Sequence, residues 1–435
     1  MNLKHKNVIT LGAGSSGRSA AALALAQGAD VEVHDACDSI TGLPEGVRAV
    51  TNATVATGNS SSCDVLVISP GIDGNSEFAQ AYQSHAGEMI GEVELAYRYY
   101  GGRVIAITGT NGKTTTTELI DRMLNHNGIS AVPCGNYGTP FSELPLMDKP
   151  PAVAALEVSS FQLETVVDFH PDVAVWLNFS ADHMDRYPTL EAYKDAKLRI
   201  FENLDEGDHV VLRAGEDVGD LKANVVTFST EEDADFTLQD GWICQNGEKV
   251  IDLSVTRLRG LHNAENAMAA FAACSVMGVK AEGASEALRG FAPPPHRCEL
   301  IRSLDGVEYI NDSKATNLHA LDSALRSQCR PVILIAGGKQ KGLDYTELLP
   351  RLKEATKGVV VFGEIAGQLS ETFKSLSDHI SIIVAQSLED AVHQARGLAG
   401  HGDTILFSPG TSSFDMFSGY EERGDCFRRI VKELK

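Results

Sequence analysis

Short β-branched runs alternate with alanine- and leucine-rich stretches of helical spacing along nearly the whole chain. That alternation restricts the fold to α/β architecture, because parallel strands need a long crossover and a helix is the usual one. Runs at 7–11, 31–34 and 65–68, each followed by Gly or Pro and then a helical segment, predict a small sheet domain over 1–91. Runs at 103–107, 152–157, 173–178, 209–212 and 225–228 predict a larger central domain over 92–296. Its last part, 235–253, alternates with Gly and Asn turns as a small antiparallel patch would, ahead of an Ala-rich helix over 263–277. Pro293-Pro294-Pro295 reads as a stiff linker, since successive prolines cannot continue a helix. Runs at 307–310, 332–336, 359–362, 380–384 and 404–408 predict a third domain over 297–435. Three domains also suit a length of 435 residues at roughly 150 per domain.

Charge narrows the partners. The chain carries 59 acidic against 37 basic residues, a formal charge of -22, with no long run of lysine or arginine to track a phosphate backbone, so nucleic acid is not expected. No apolar run approaches the ~20 residues that span a bilayer, and no signal-peptide core follows the basic start, so a cytoplasmic protein is expected. The eight cysteines are scattered with no C-x-x-C pair, which supports neither a disulfide framework nor a zinc site.

Two glycine loops carry the phosphate chemistry. Gly12-Ala13-Gly14-Ser15-Ser16-Gly17 lies between a strand and a helix over 18–27, with Asp35 after the next strand. Such a loop lets backbone amides approach a phosphate, and the acid can take a ribose hydroxyl. It is also what a tight turn would need for backbone reasons alone. The second loop, Thr108-Gly109-Thr110-Asn111-Gly112-Lys113-Thr114-Thr115, lies between the run at 103–107 and a helix beginning near Thr115. Its mechanics are those of a P-loop: amides cradle phosphates, Lys113 adds a compact charge, and the Thr114 hydroxyl can reach magnesium. Ile107 stands where the first glycine of the full pattern belongs, so this is a variant loop.

That second loop resembles the one in Mur ligases and folylpolyglutamate synthases, three-domain ATP-dependent amide-forming enzymes. The resemblance implies a Rossmann-like N-terminal domain, a central P-loop ATPase-like domain with a mostly parallel sheet, and a Rossmann-like C-terminal domain. It extends over further segments. Leu156-Glu157-Val158-Ser159-Ser160 is similar to the segment whose strand ends in a magnesium carboxylate, here Glu157. Asn178-Phe179-Ser180-Ala181-Asp182-His183 is similar to the segment whose histidine helps bind a second magnesium, here His183; alone, that histidine reads as a satisfied polar residue. Asp195-Ala196-Lys197-Leu198-Arg199 is similar to the segment whose lysine carries CO2 as a carbamate; from the residues alone, Lys197 is a helix-surface lysine. The same resemblance extends the ATP set to Gly109, Thr110, Asn111, Gly112, Lys113, Thr114, Thr115 and Thr116, with Asn263 and Asn266 of His262-Asn263-Ala264-Glu265-Asn266, Arg297 and Asp312. Without it, the two asparagines serve equally as capping residues.

Asn311-Asp312-Ser313-Lys314-Ala315-Thr316-Asn317 resembles the branch of the Mur ligases that adds D-glutamate, and no Asp-Asn-Pro-Arg tetrapeptide of the diaminopimelate- and lysine-adding branches occurs. That branch implies Lys314, Thr316, Lys341, Ser413 and Tyr420 around D-glutamate; by themselves Ser413 and Tyr420 read as a helix N-cap and a packing aromatic. It implies Gly14, Ser15, Ser16, Asp35, Gly71, Asn136 and Ser159 around UDP-N-acetylmuramoyl-L-alanine, although Ala36-Cys37 departs from the Thr-Arg pair of some relatives and Tyr137 replaces a smaller residue. The expected set is therefore ATP, two magnesium ions and a carbamate on Lys197, in a monomer whose third domain closes on ATP binding. Lys113, His183 and Lys197 are the expected catalytic residues. Two rivals explain less: an NAD-dependent oxidoreductase leaves the second phosphate loop idle, and a nucleotide sensor has no need of Glu157, His183 and Lys197.

Overall fold

The computed structural model describes every residue except Asp185, Arg259, Ala292 and Pro293, so Pro293 of the expected linker lies outside the described residues. Asn7–Leu11 sits in the middle of a parallel sheet ordered Arg48–Val50, Asp30–His34, Asn7–Leu11, Cys63–Ile68, Ala86–Gly91. The helix Ser15–Ala26 packs Ala20, Ala21, Leu23 and Ala24 onto Val8, Val31, Val33 and Val65, small residues allowing a close approach. Helix Glu92–Tyr97 follows the last strand directly and ties this sheet to the next. Its fully buried Glu94 accepts the backbone N–H groups of Val167, Asp168 and Phe169 at 2.8 to 3.0 Å, and Arg98 at 2.6 Å. A buried carboxylate with four donors is satisfied and fixes the chain that carries it.

The second sheet runs Glu248–Asp252, Trp242–Gln245, Phe236–Gln239, Asn224–Ser229, His209–Arg213, Val173–Trp176, Arg103–Thr108, Val153–Glu157, Ala131–Gly135. Pairing is parallel from Phe236–Gln239 onward to the Ala131–Gly135 edge, and the far end is the expected antiparallel patch. Arg103–Thr108 is flanked by Val153–Glu157 and Val173–Trp176, so three strand ends open onto the same crevice, where such sheets bind ligands. Beneath lie Trp176, Phe141, Phe169 and Leu156, each at most 1% exposed. The run expected as a strand to 178 leaves the sheet after Trp176.

These two sheets form one compact unit; 180–190, 253–265 and 289–435 form another. The sheet of this second unit runs Glu299–Leu304, Val307–Asn311, Thr404–Phe407, Val332–Gly337, Thr356–Phe362, Ser381–Val384, antiparallel in its first pair and parallel elsewhere. Val332–Gly337 is buried throughout, as a central parallel strand covered on both faces must be.

Candidate active site

Arg103–Thr108 ends in Gly109, and helix Lys113–His126 begins after Gly112, which adopts φ +88°. A side chain at Gly112 would also collide with Asn266 Oδ1, so glycine is required there twice over. The loop is braced from the neighbouring strand end: Thr110 N donates to Asn178 O and Asn111 N to Asn178 Oδ1, both at 2.9 Å. Asn178 had no assigned role in the sequence; leaving the strand at Trp176 is what frees it for this task. Lys113 Nζ donates to the carbonyls of Gly109 at 2.8 Å and Thr110 at 3.0 Å. Thr114 is half-buried at the helix start, whereas Thr115 and Thr116 are buried. Thr116 spends its N–H on Gly112 O and its hydroxyl on Asn266 Oδ1. Asn263 lies on the same helix as Asn266, Leu261–Val276, and is 3% exposed.

Glu157 ends its strand opposite Ile107, one position from the loop. It is 2% exposed; Oε1 accepts Asn136 Nδ2 at 2.7 Å, while Oε2 has no hydrogen-bond partner among the described residues. A buried carboxylate oxygen left without a donor is costly, and here it lies at the strand end beside the phosphate loop. Lys197, in helix Leu190–Leu198, is 1% exposed rather than on the surface. Its Nζ donates to Gly109 O at 2.9 Å and lies 5.0 Å from the Tyr193 ring centre. Ser159 serves as the cap of Ser160–Leu163, exchanging bonds with Gln162.

In the first sheet, Gly12 adopts φ +100° and a side chain on Gly17 would strike the Gly12 carbonyl, so both are held by backbone geometry. Gly14 and Gly71 have open space beside them. Asp35 accepts Ala13 N at 2.6 Å and Cys37 N at 3.0 Å. Burial alone would raise its pKa, but the donors at Cys37 and Ala13 hold it below the ordinary value. One oxygen of Asp35 thus secures the loop that Ser15 and Ser16 continue into the helix.

In the second unit, Asp182 joins residues distant in sequence. It is buried, with Oδ1 accepting Lys341 Nζ at 3.0 Å and Oδ2 accepting Asn317 Nδ2 at 3.0 Å. Lys341 Nζ also reaches Thr316 O at 3.4 Å. Burial would raise the Asp182 pKa, but the charges of His183 and Lys341 bring it below normal. His183 itself is left-handed, φ 56°, with its ring half-exposed. Lys314 Nζ stands 3.7 Å from the Tyr420 ring centre, a cation–π contact. Asp312 accepts Ser408 Oγ and Cys298 N; its burial lifts the pKa to about 6, against the charge of nearby Arg297. Ser413 is buried next to Thr411 and Ser412, whose carbonyls accept Arg423. Arg423, fully buried, also donates to Ser313 O and Oγ, holding the 411–413 loop to the loop of Lys314 and Thr316. Neither Asp182 nor Arg423 was singled out in the sequence, although Asp182 directly precedes His183 and Arg423 lies three residues after Tyr420.

Residues 107–274 match the Mur ligase middle domain and residues 296–410 the Mur ligase glutamate ligase domain. The UDP-N-acetylmuramoylalanine--D-glutamate ligase of Alkaliphilus metalliredigens is 36% identical, covering 100% of both chains. The enzyme of the same name from Geotalea uraniireducens is 38% identical, covering 100% of this chain and 99% of its own. Among solved structures, the MurF ligase of Thermotoga maritima in complex with ADP superposes with a TM-score of 0.61 at 19% identity, over 99% of this chain and 96% of that one, a likeness of fold. The chain belongs to the Mur ligase family.

Proposed function

We propose that this chain is an ATP-dependent amide-forming ligase that adds D-glutamate to UDP-N-acetylmuramoyl-L-alanine, a step of peptidoglycan precursor synthesis. Full-length relatives carrying that activity in their names support the reading. The observation that carries it is a phosphate loop beside a buried carboxylate with one oxygen unpartnered.

Joining a carboxylate to an ammonium is uphill in water, so the L-alanyl carboxylate must first take the γ-phosphoryl group of ATP, releasing ADP. The amine of D-glutamate then attacks the acyl carbon, a C–N bond forms, phosphate leaves and the amine gives up a proton. The amides and glycines of 109–115 would receive the phosphates, and Lys113, now on two loop carbonyls, would turn its ammonium to the γ-phosphate. Asn263, Asn266, Arg297 and Asp312 are read as nucleotide residues, with Thr116 bracing Asn266. Gly14, Ser15, Ser16, Asp35 and Gly71 are read on the UDP moiety and Asn136 and Ser159 on the muramoyl part. Lys314, Thr316, Lys341, Ser413 and Tyr420 are read around D-glutamate, Lys341 exchanging Asp182 for a substrate carboxylate.

The donors present suit magnesium, a hard cation that takes oxygen ligands: Glu157 Oε2 is orphaned and the Thr114 hydroxyl stands at the helix start. Bound there, magnesium would neutralise phosphate charge as the two anions approach. A second ion at His183, and separately a carbamate on Lys197, complete the reading. No helix among the described residues is long and apolar enough to cross a membrane; a cytoplasmic, monomeric enzyme belongs to the same proposed reading. Phosphate release with ATP, magnesium and UDP-N-acetylmuramoyl-L-alanine tests this: D-glutamate should support it, and L-glutamate, L-lysine and D-alanine should not. Equal release with L-lysine would overturn the assignment.

A further inference from the structure

Asn136 grips Glu157 at both ends. Its side chain donates to Oε1 at 2.7 Å and its backbone N–H to the Glu157 carbonyl at 2.9 Å. That grip decides which carboxylate oxygen is left over. Yet Asn136 follows Gly135, the last residue of an edge strand with a partner on one side only, in a short exposed turn closed by Gly135 N to Thr139 O. An edge turn of this kind supplies little rigidity of its own. The next residue, Tyr137, supplies the missing anchor: its Oη donates to Glu118 Oε1 on helix Lys113–His126. Glu118 lies four residues after Thr114, on the same helix face.

We propose that Tyr137 is a positioning residue for the metal site, its phenol strapping the loop that grips Glu157 to the helix that carries Thr114. The strap runs Glu118, Tyr137, Asn136, Glu157, and joins the two elements that present oxygen to one ion. Magnesium demands near-ideal octahedral geometry, so the mutual placement of those elements matters more than for a tolerant cation. Partners that orient a ligand from outside the coordination sphere commonly govern metal affinity. The proposal rests on the reading of Glu157 and Thr114 as ligands.

The test uses Mn2+ as the probe, its free concentration read by electron paramagnetic resonance, on the full chain with a non-hydrolysable ATP analogue. Tyr137→Phe removes the hydroxyl and keeps the ring; it should weaken Mn2+ binding about fivefold, the worth of roughly one hydrogen bond. Metal-free binding of the analogue should stay unchanged. Glu118→Leu should match Tyr137→Phe, whereas Glu118→Gln, whose amide oxygen still accepts, should stay near wild type. These Glu118 variants decide the matter if the tyrosine variant does not fold. Glu157→Gln separates the two levels. If it weakens Mn2+ binding while Tyr137→Phe and Glu118→Leu leave it unchanged, the strap is wrong and the ligand reading stands. If Glu157→Gln leaves Mn2+ binding intact, the ligand reading fails and the strap with it.

Discussion

Lys113 and Lys197 donate to one acceptor, the carbonyl oxygen of Gly109, at 2.8 and 2.9 Å. Two ammonium groups therefore crowd one oxygen in a buried place, and like charges ~5 Å apart repel by ~3 kcal/mol at an effective dielectric near 20. A carbamate on Lys197 would replace one of these cations by an anion that attracts Lys113. Purified protein equilibrated with 13C-labelled bicarbonate should show a carbamate resonance that Lys197→Ala lacks, and activity should fall when CO2 is stripped. Full activity without CO2, or an identical spectrum for the variant, would remove the carbamate from the account.

Glu157→Gln should lower kcat by about 100-fold or more if the carboxylate holds magnesium, since a ligand is lost. The same change removes a buried carboxylate whose second oxygen has no partner among the described residues, so the melting temperature of the ligand-free variant should be unchanged or higher. Undiminished turnover together with a lowered melting temperature would assign Glu157 to structure alone.

Lys341→Ala should raise the KM for D-glutamate more than about tenfold, as loss of a charged hydrogen bond to a carboxylate does, and leave the KM for ATP nearly unaltered. It also leaves Asp182 buried without its cationic partner, with the Asn317 amide and the His183 backbone N–H as donors, so stability should fall by about 2 kcal/mol. Matched increases in both KM values would place Lys341 elsewhere in the reaction.

Asp312 gives a pH signature. Its folded pKa of about 6 lies above the ordinary 3.8, so between those values the native state keeps a proton the unfolded chain has released. Stability then falls as pH rises through that window, and the cost is complete above about pH 6. Relative to Asp312→Asn, wild type should lose on the order of 2 to 3 kcal/mol between about pH 4 and about pH 7, measured by urea denaturation. A difference that does not move with pH would show that the carboxylate is not held protonated.

Each central strand of the fold was legible in the sequence, and the four strands that were not are all edges: Arg48–Val50, Ala86–Gly91, Ala131–Gly135 and Glu299–Leu304. An edge strand pairs on one side and need not be buried on both faces, so it lacks the continuous apolar run. Ala131–Gly135 even contains Pro133, which only an edge tolerates well. The phosphate loop was legible because strand, glycines and helix are consecutive. What bears on its chemistry was not: Asn178 reaches the loop from 67 residues away, and Asp182 meets Lys341 across 159. The resemblance supplied Lys197 as a site residue where the residues alone read as helix surface; it is buried with its Nζ on the Gly109 carbonyl, 88 residues away, which no local pattern encodes.

The proposed mechanism depends on one step, attack of a carboxylate on a phosphoryl group in the pocket beside Lys113. UDP-N-acetylmuramoyl-L-alanine carrying 18O in its L-alanyl carboxylate tests it most directly, with ATP, magnesium and D-glutamate supplied and the released phosphate analysed by mass spectrometry. One labelled oxygen should pass into the phosphate for each amide formed. Phosphate free of label alongside normal amide formation would contradict the acyl-phosphate route and the role given to the pocket.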